Sequence, residues 1–287
     1  MTTRNYRNPR DGGPTPPSRK VMMARRRLLL VAAGGVAIGV ATVTSRGGGG
    51  HLAASETDEL PHTAATRPPS GAHQPATGHA SGKRPAKTID TVSGKPMYYL
   101  DDGPHVIALT IDDGPSPVYT PQVLSILAEY GITAAFSMIG ENVSYYPSIA
   151  HEVAAAGHMI VNHTWNHANL TSMKRSRLPG EVDRTTDQIQ AATGKTPEMF
   201  RAPYGAWSPT LLDYLATQKL TPLDWSVDPA DWSRPGVRKI VKAIMGTTKT
   251  GSIILEHDGG GDRSQTVAAL KIVIPRLLDE GYQFTVP

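Results

Sequence analysis

The chain has 287 residues, enough for one or two domains, and 39% of them are hydrophobic. It has no cysteine, which excludes a disulfide framework and a thiolate zinc site, so any metal must be held by His, Asp or Glu. The net charge of +4 is divided unevenly: fourteen of the 29 Lys and Arg and five of the 25 Asp and Glu fall in residues 1–96, leaving +9 there and −5 on the rest. Since the positive charge lies outside the region of regular apolar periodicity, nucleic acid is discounted as a partner.

Near the amino terminus, Arg25-Arg26-Arg27 precedes an apolar run of 16 residues, Leu28 to Val43, diluted by Gly34, Gly35 and Gly39. That run fits an export signal better than a full membrane span, which needs about 20 apolar residues. The Arg-Arg-Arg-Leu-Leu sequence suits a twin-arginine leader or an ordinary basic one about equally. No clean small-x-small cleavage site follows Val43, so residues 1–43 read as a signal peptide or as an uncleaved anchor with its basic end in the cytoplasm. The remainder is expected to be secreted, or extracytoplasmic and anchored, in a bacterial-type envelope. Residues 44–96 are rich in Gly, Ser, Thr, Pro and Ala and cannot bury enough apolar surface to fold, which predicts a disordered linker. His51, His62, His73 and His79 within it read as solvated polar sequence. Residues 97–287 then form one domain.

Strand-like runs follow at His105–Ile111, Ile132–Met138, His158–Val161, Met199–Ala202, Thr221–Val227, Ser252–Glu256 and Tyr282–Val286. Helical periodicity separates them at Thr120–Tyr130, Pro147–Ala156, Gly180–Ala192, Pro209–Gln218, Val237–Met245 and Gln265–Glu280. Seven strands alternating with six helices imply a parallel α/β architecture, either a barrel or an open doubly wound sheet. Polar clusters sit just after the strands, at Asp112-Asp113, His163 to His167, Arg201 to Tyr204, Asp228 to Trp232 and His257-Asp258. In either architecture the carboxyl ends of the strands share one face, so the clusters can converge.

His163 and His167, four residues apart, can point at one ion, and two His with one carboxylate make an open hydrolytic metal site. Asp112 and Asp113 at a strand end repel unless neutralised and are expected to point in different directions, so that one can ligate while the other acts as a base. The bland alternatives are structural histidines and an Asp-Gly-Pro turn capping nearby amides. Arg201 can grip a carboxylate, the Pro203-Tyr204 backbone can face an oxyanion, and His257 can serve as a general acid if a carboxylate such as Asp231 orients it.

In this order the residues resemble the polysaccharide deacetylase (NodB-homology) family of carbohydrate esterases, over roughly residues 97–287. The resemblance implies a distorted (β/α)7 barrel. It rests on Thr110-Ile111-Asp112-Asp113-Gly114-Pro115, His163-Thr164 with His167, Arg201 with Pro203-Tyr204, Asp228 with Asp231-Trp232, and Leu255 with His257. It implies Asp112 as base, and Asp113, His163 and His167 as metal ligands. By the same resemblance Arg201 positions Asp112, the Tyr204 amide helps hold the oxyanion, Asp231 orients His257, and Trp232 and Leu255 wall an acetyl pocket. Ile111 departs from the usual aromatic, and Glu256 stands where an apolar residue is usual. That glutamate is expected to add negative charge near His257 and raise its pKa.

The activity so implied is metal-dependent removal of N-acetyl groups from an N-acetylglucosamine polysaccharide, peptidoglycan first and chitin-type oligomers second. The ion is expected to be Zn2+, with Co2+, Ni2+ or Mn2+ as alternatives. The expected partner is a cell-wall or extracellular amino-sugar polysaccharide, with a membrane only through the amino-terminal anchor, and the chain is expected to be a monomer. The alternatives are an O-acetyl esterase acting on acetylated xylan and a non-catalytic glycan-binding module.

Overall fold

A computed structural model describes residues 94–287. The expected leader, and all but the last three residues of the expected linker, lie outside the described residues. Among those described, no helix is long and apolar enough to cross a membrane.

The chain alternates strand and helix: β1 (Val106–Gly114), α1 (Thr120–Tyr130), β2 (Ala135–Met138), α2 (Gly140–Tyr145), α3 (Pro147–Ala155), β3 (Met159–Asn162), α4 (Asp183–Thr193), β4 (Met199–Phe200), α5 (Pro209–Thr217), β5 (Thr221–Pro222), α6 (Val237–Thr247), β6 (Ile253–His257), α7 (Ser264–Asp279) and β7 (Gln283–Thr285). Short 3-10 turns occupy Arg175–Gly180, Pro203–Gly205 and Asp231–Ser233. Local chemistry accounts for many of the boundaries. Helix α1 has Pro121 in its first turn and ends at Gly131, whose φ of 62° lets its N–H return to the carbonyls of Leu127 and Ala128. Its buried residues Val123, Ile126 and Leu127 have helical spacing. Helix α2 was not expected, because its six residues carry a single large buried apolar side chain, Val143, too few to show a period.

All strand pairs are parallel, in the order β5-β4-β3-β2-β1-β6, with β7 joined to the start of β1. β5 is only two residues long where Thr221–Val227 was expected. The chain turns away at Leu223, and Val227 rejoins the sheet as an isolated bridge to Ile254. The opening between β5 and β6 is spanned by the segment ahead of β1. There the Met97 N–H donates to the Pro222 carbonyl at 2.9 Å, the Asp224 N–H to the Met97 carbonyl at 2.8 Å, and the Leu100 N–H to the Gly251 carbonyl at 2.8 Å. The result is the distorted (β/α)7 barrel.

Alternation along β1 divides its side chains between two layers. Ile107, Leu109 and Ile111 pack outward with Val123, Leu127, Ile240, Ile244, Leu270 and Val273 of the helices. Ala108 points inward with Ala135, Val161, Met199, Leu223 and Ile253, small and medium side chains that fill the lower barrel. Thr110 and Asp112 continue that inward face above them. The outer layer is the larger core, and Phe136 of β2, 1% exposed, is among its largest members. Phe136→Ala is expected to lower unfolding free energy by about 3–5 kcal/mol, read from urea denaturation. A loss under about 1 kcal/mol would mean that this layer does not carry the fold.

Candidate active site

Four loops at the carboxyl ends of β1, β3, β4 and β6, together with the Asp231–Ser233 turn, bring the candidate residues together. Strand β1 runs on through both acids, but its register with β2 shifts between Asp112 and Gly114, and Asp113 has a φ of 73°. This bulge corrects the expectation that the two carboxylates diverge: Asp112 Oδ2 and Asp113 Oδ1 lie 3.8 and 3.6 Å from the same His163 Nε2. Asp113 Oδ1 is also 3.2 Å from His167 Nε2. One ligand atom from each of Asp113, His163 and His167 fits within a mutual distance of 4.8 Å.

These three side chains fit a divalent cation on their own geometry. Asp113 Oδ1 is buried with no hydrogen-bond partner, an arrangement that costs free energy unless something positive sits against it. His163 Nδ1 lies 2.8 Å from the Arg201 carbonyl, which can only accept, so Nδ1 carries a proton and Nε2 is the ring atom turned toward Asp113. His167 Nδ1 meets the Tyr204 hydroxyl at 3.2 Å.

The histidine loop is pinned from outside the motif. Asn162 accepts the Thr164 N–H through its side-chain oxygen and donates to the Val182 carbonyl and the Thr186 hydroxyl. Glu181 accepts the N–H groups of Trp165 and Asn166. Beneath Asp113 lie Gly259 and Gly260. A Cβ on Gly259 would collide with the Asp113 carbonyl, and one on Gly260 would stand 2.8 Å from Asp113 Oδ2.

Arg201 is completely buried. Its Nη1 donates to Asp112 Oδ1 at 2.8 Å and to the Thr110 hydroxyl at 2.7 Å, and its Nη2 donates to the Asp224 carbonyl at 3.0 Å. Asp112 is thus held by one oxygen. On β6, Leu255 and His257 lie opposite Thr110 and Asp112 in register. Asp231 binds His257 twice, accepting from Nδ1 at 2.7 Å and from the backbone N–H at 2.9 Å, and takes a third bond from the Thr266 hydroxyl. Trp232 follows, its carbonyl accepting from Arg263 Nη1. Tyr204 stands half exposed beside His167 with a φ of 64°.

Residues 100–223 match the family described as polysaccharide deacetylase. A chitooligosaccharide deacetylase of Sinorhizobium fredii is 41% identical over 187 residues, 61% of this chain and 87% of that protein. A peptidoglycan-N-acetylglucosamine deacetylase of Bacillus cereus is 38% identical over 194 residues, 67% of this chain and 91% of that protein. The chain belongs to the polysaccharide deacetylase family. Among solved structures, a peptidoglycan N-acetylglucosamine deacetylase in complex with 4-naphthalen-1-yl-N-oxidanyl-benzamide superposes with a TM-score of 0.64 at 31% identity, covering 66% of this chain and 89% of that one.

For a polysaccharide deacetylase the buried charges are sharply divided. Burial alone would raise the Asp113 pKa, but His163, His167 and His257 overcome it and hold this carboxyl well below the usual range. Asp231 is likewise disfavoured by burial yet brought down to about 2 by its bonds and charge pairing with His257. Burial would lower His257, but Asp231 first, then Asp113 and Asp112, push it up to about 9. The expectation for Glu256 is corrected. Burial and then Asp231 push its own pKa well above the ordinary carboxyl value, and the groups that raise the histidine are the aspartates. Asp258, also buried, is pushed up to about 7 by burial against the opposing Thr120 hydrogen bond.

Asn162, Glu181, Asp258, Arg263 and Thr266 were not legible as site residues. Each acts through a partner distant in sequence, and only Asp258, next to His257, lay inside a polar cluster visible in the chain.

Two outcomes follow from this geometry. Gly259→Ala should displace Asp113 and weaken Zn2+ binding at least tenfold by isothermal titration, with far-UV circular dichroism unchanged; wild-type affinity would count against the glycine seat. In metal-free protein the stabilisation from His257 should be complete below about pH 6.5 and be lost as pH rises through about 9, since its folded pKa is raised. Denaturation midpoints measured from pH 6 to 10 should therefore fall, and His257→Gln should flatten that slope.

Proposed function

We propose that this chain is an exported, metal-dependent N-deacetylase of N-acetylglucosamine polymers, acting on peptidoglycan first and chitin-type oligomers second. The observation that carries this reading is the unpartnered, buried Asp113 Oδ1 facing two imidazole nitrogens, set between an arginine-held Asp112 and an aspartate-held His257. The two relatives, a chitooligosaccharide deacetylase and a peptidoglycan-N-acetylglucosamine deacetylase, support the substrate class. In this proposal residues 1–43 are the leader or anchor, 44–96 the tether, and 97–287 the catalytic domain, which works as a monomer outside the cytoplasm.

Asp113, His163 and His167 hold the ion, Zn2+ by preference for the His₂Asp set, with Co2+, Ni2+ or Mn2+ as alternatives. When bound, it supplies Lewis acidity that polarises an acetyl carbonyl and makes water more acidic. Asp112 is the base. Arg201 fixes its Oδ1, leaving Oδ2 on the His163 side to take a proton from the attacking water. The Tyr204 backbone amide faces the oxygen that becomes negative, while Leu255 and Trp232 enclose the methyl group. His257, oriented by Asp231 and kept protonated at neutral pH, gives its proton to the amine nitrogen as the carbon–nitrogen bond breaks. Water is consumed, and acetate and a free amino sugar leave.

The test is acetate release by the purified chain from N-acetylglucosamine oligomers, peptidoglycan and acetylated xylan, each with and without chelator. Chelator-sensitive release from the amino-sugar polymers is expected, fastest from peptidoglycan; release from xylan alone would overturn the N-deacetylase reading. Asp112→Asn should lower kcat by about 10²–10⁴-fold while metal content stays stoichiometric. An unchanged rate would remove Asp112 as the base.

A further inference from the structure

One buried titratable group has no part in the chemistry above. Glu256 lies between Leu255 and His257 on β6 and is fully buried. Strand alternation turns Leu255 and His257 into the barrel and Glu256 out of it, opposite Ile111 of β1 and toward the apolar layer beneath the helices. Neither of its carboxyl oxygens receives a hydrogen bond. A carboxylate in that setting would be a desolvated charge with no donor. The nearby Arg263 cannot neutralise it fully, because its Nε donates to the Gly259 carbonyl, its Nη1 to the Trp232 carbonyl, and its Nη2 faces Asp113 Oδ2 at 4.0 Å.

Asp231 is the acidic group that acts most strongly on Glu256. Asp231 Oδ2 already takes the N–H of the very next residue, His257, and the Thr266 hydroxyl from α7, which places this carboxylate against the Glu256–His257 peptide. A protonated Glu256 would complete its coordination with one more donor. Asp228, Asp231 and Arg263 are charged groups that act on Glu256, and Asp231, Asp113, Asp112, Asp228 and Asp258 act on His257. Both Asp228 and Asp231 repel a negative Glu256, in keeping with the raised proton affinity of its carboxyl.

We propose that Glu256 is a positioning residue for the Asp231–His257 pair, its carboxyl group serving as a neutral hydrogen-bond donor that fixes Asp231 and weakens the hold of Asp231 on the His257 proton. The consequence rests on His257 acting as the acid in the proposed deacetylation. By drawing electron density from Asp231, the Glu256 O–H leaves His257 a stronger acid than an aspartate bonded only to Thr266 and the backbone would allow. An apolar residue at 256 would leave Asp231 more basic and His257 slower to release its proton.

The experiment compares the full wild-type chain with Glu256→Gln, which keeps a neutral donor, and Glu256→Leu, which keeps the bulk and loses it. A wild-type minus Glu256→Gln infrared difference spectrum at pH 7 should show the carbonyl band of a protonated carboxylic acid. A carboxylate pair of bands in its place overturns the proposal, whatever substrate the enzyme uses. The His257 imidazole, assigned by comparison with His257→Gln, should titrate in NMR at the wild-type pH in Glu256→Gln and at least half a unit higher in Glu256→Leu. The alkaline limb of kcat should move by the same amount, with kcat reduced severalfold. A limb and imidazole titration unmoved in Glu256→Leu, or moved downward in Glu256→Gln, would overturn the proposal. Should Glu256→Leu not fold, the infrared band and the Glu256→Gln titration decide it alone. Loss of acetate release from every substrate would instead count against the deacetylase reading and leave the spectroscopic result standing.

Discussion

The Arg201 guanidinium is the buried tie on which the rest of the site depends. One side chain, wholly removed from water, reaches Asp112 and Thr110 on β1 and the Asp224 carbonyl beyond β5, while the carbonyl of the same residue fixes the tautomer of His163 after β3. A guanidinium in such a place is tolerable only because three acceptors meet its two Nη atoms and Asp112 balances its charge. Removing either partner would strand a charge in the barrel. The arginine therefore joins the frame to the site: the bond that orients Asp112 also holds strands from distant parts of the chain together.

Around that tie the backbone is strained where the site needs it. Of the eight non-glycine residues with positive φ among those described, Asp113, Thr164, His167 and Tyr204 belong to the site loops, and Ala230 and Arg234 flank the Asp231 turn. Such conformations cost on the order of 1–3 kcal/mol each and persist only when the surroundings over-determine them. Here the surroundings are the two core layers below, the Asn162 and Glu181 pins beside the histidine loop, and the glycine seat beneath Asp113. The strain has a geometric result: it turns side chains that alternation would send apart toward one point.

The acids of the site share a residue type but not a charge state. Asp113 is kept anionic by histidines and Asp231 by its pairing with His257, whereas Glu256 and Asp258, buried without a full cationic partner, are pushed toward the neutral form. Environments that drive like groups apart are how one cavity holds an acid and a base at the same pH.

Much of this protein is determined by its sequence alone. Helix α1 follows from Pro121, Gly131 and the spacing of Val123, Ile126 and Leu127, and the seven apolar runs each yield a strand, because these are local properties of period and backbone freedom. The clusters after the strands name Asp112, Asp113, His163, His167, Arg201, Asp231 and His257, since parallel topology must bring strand ends to one face. Only the tertiary structure decided that β5 stops at Pro222 and that both aspartates turn inward. It also decided that Arg263 backs Asp113 and that Glu256 is buried without a hydrogen-bond partner. Those features depend on a bulge, on desolvation and on partners far away in the chain, and a hydrophobic pattern carries no record of how much water a carboxyl group will lose.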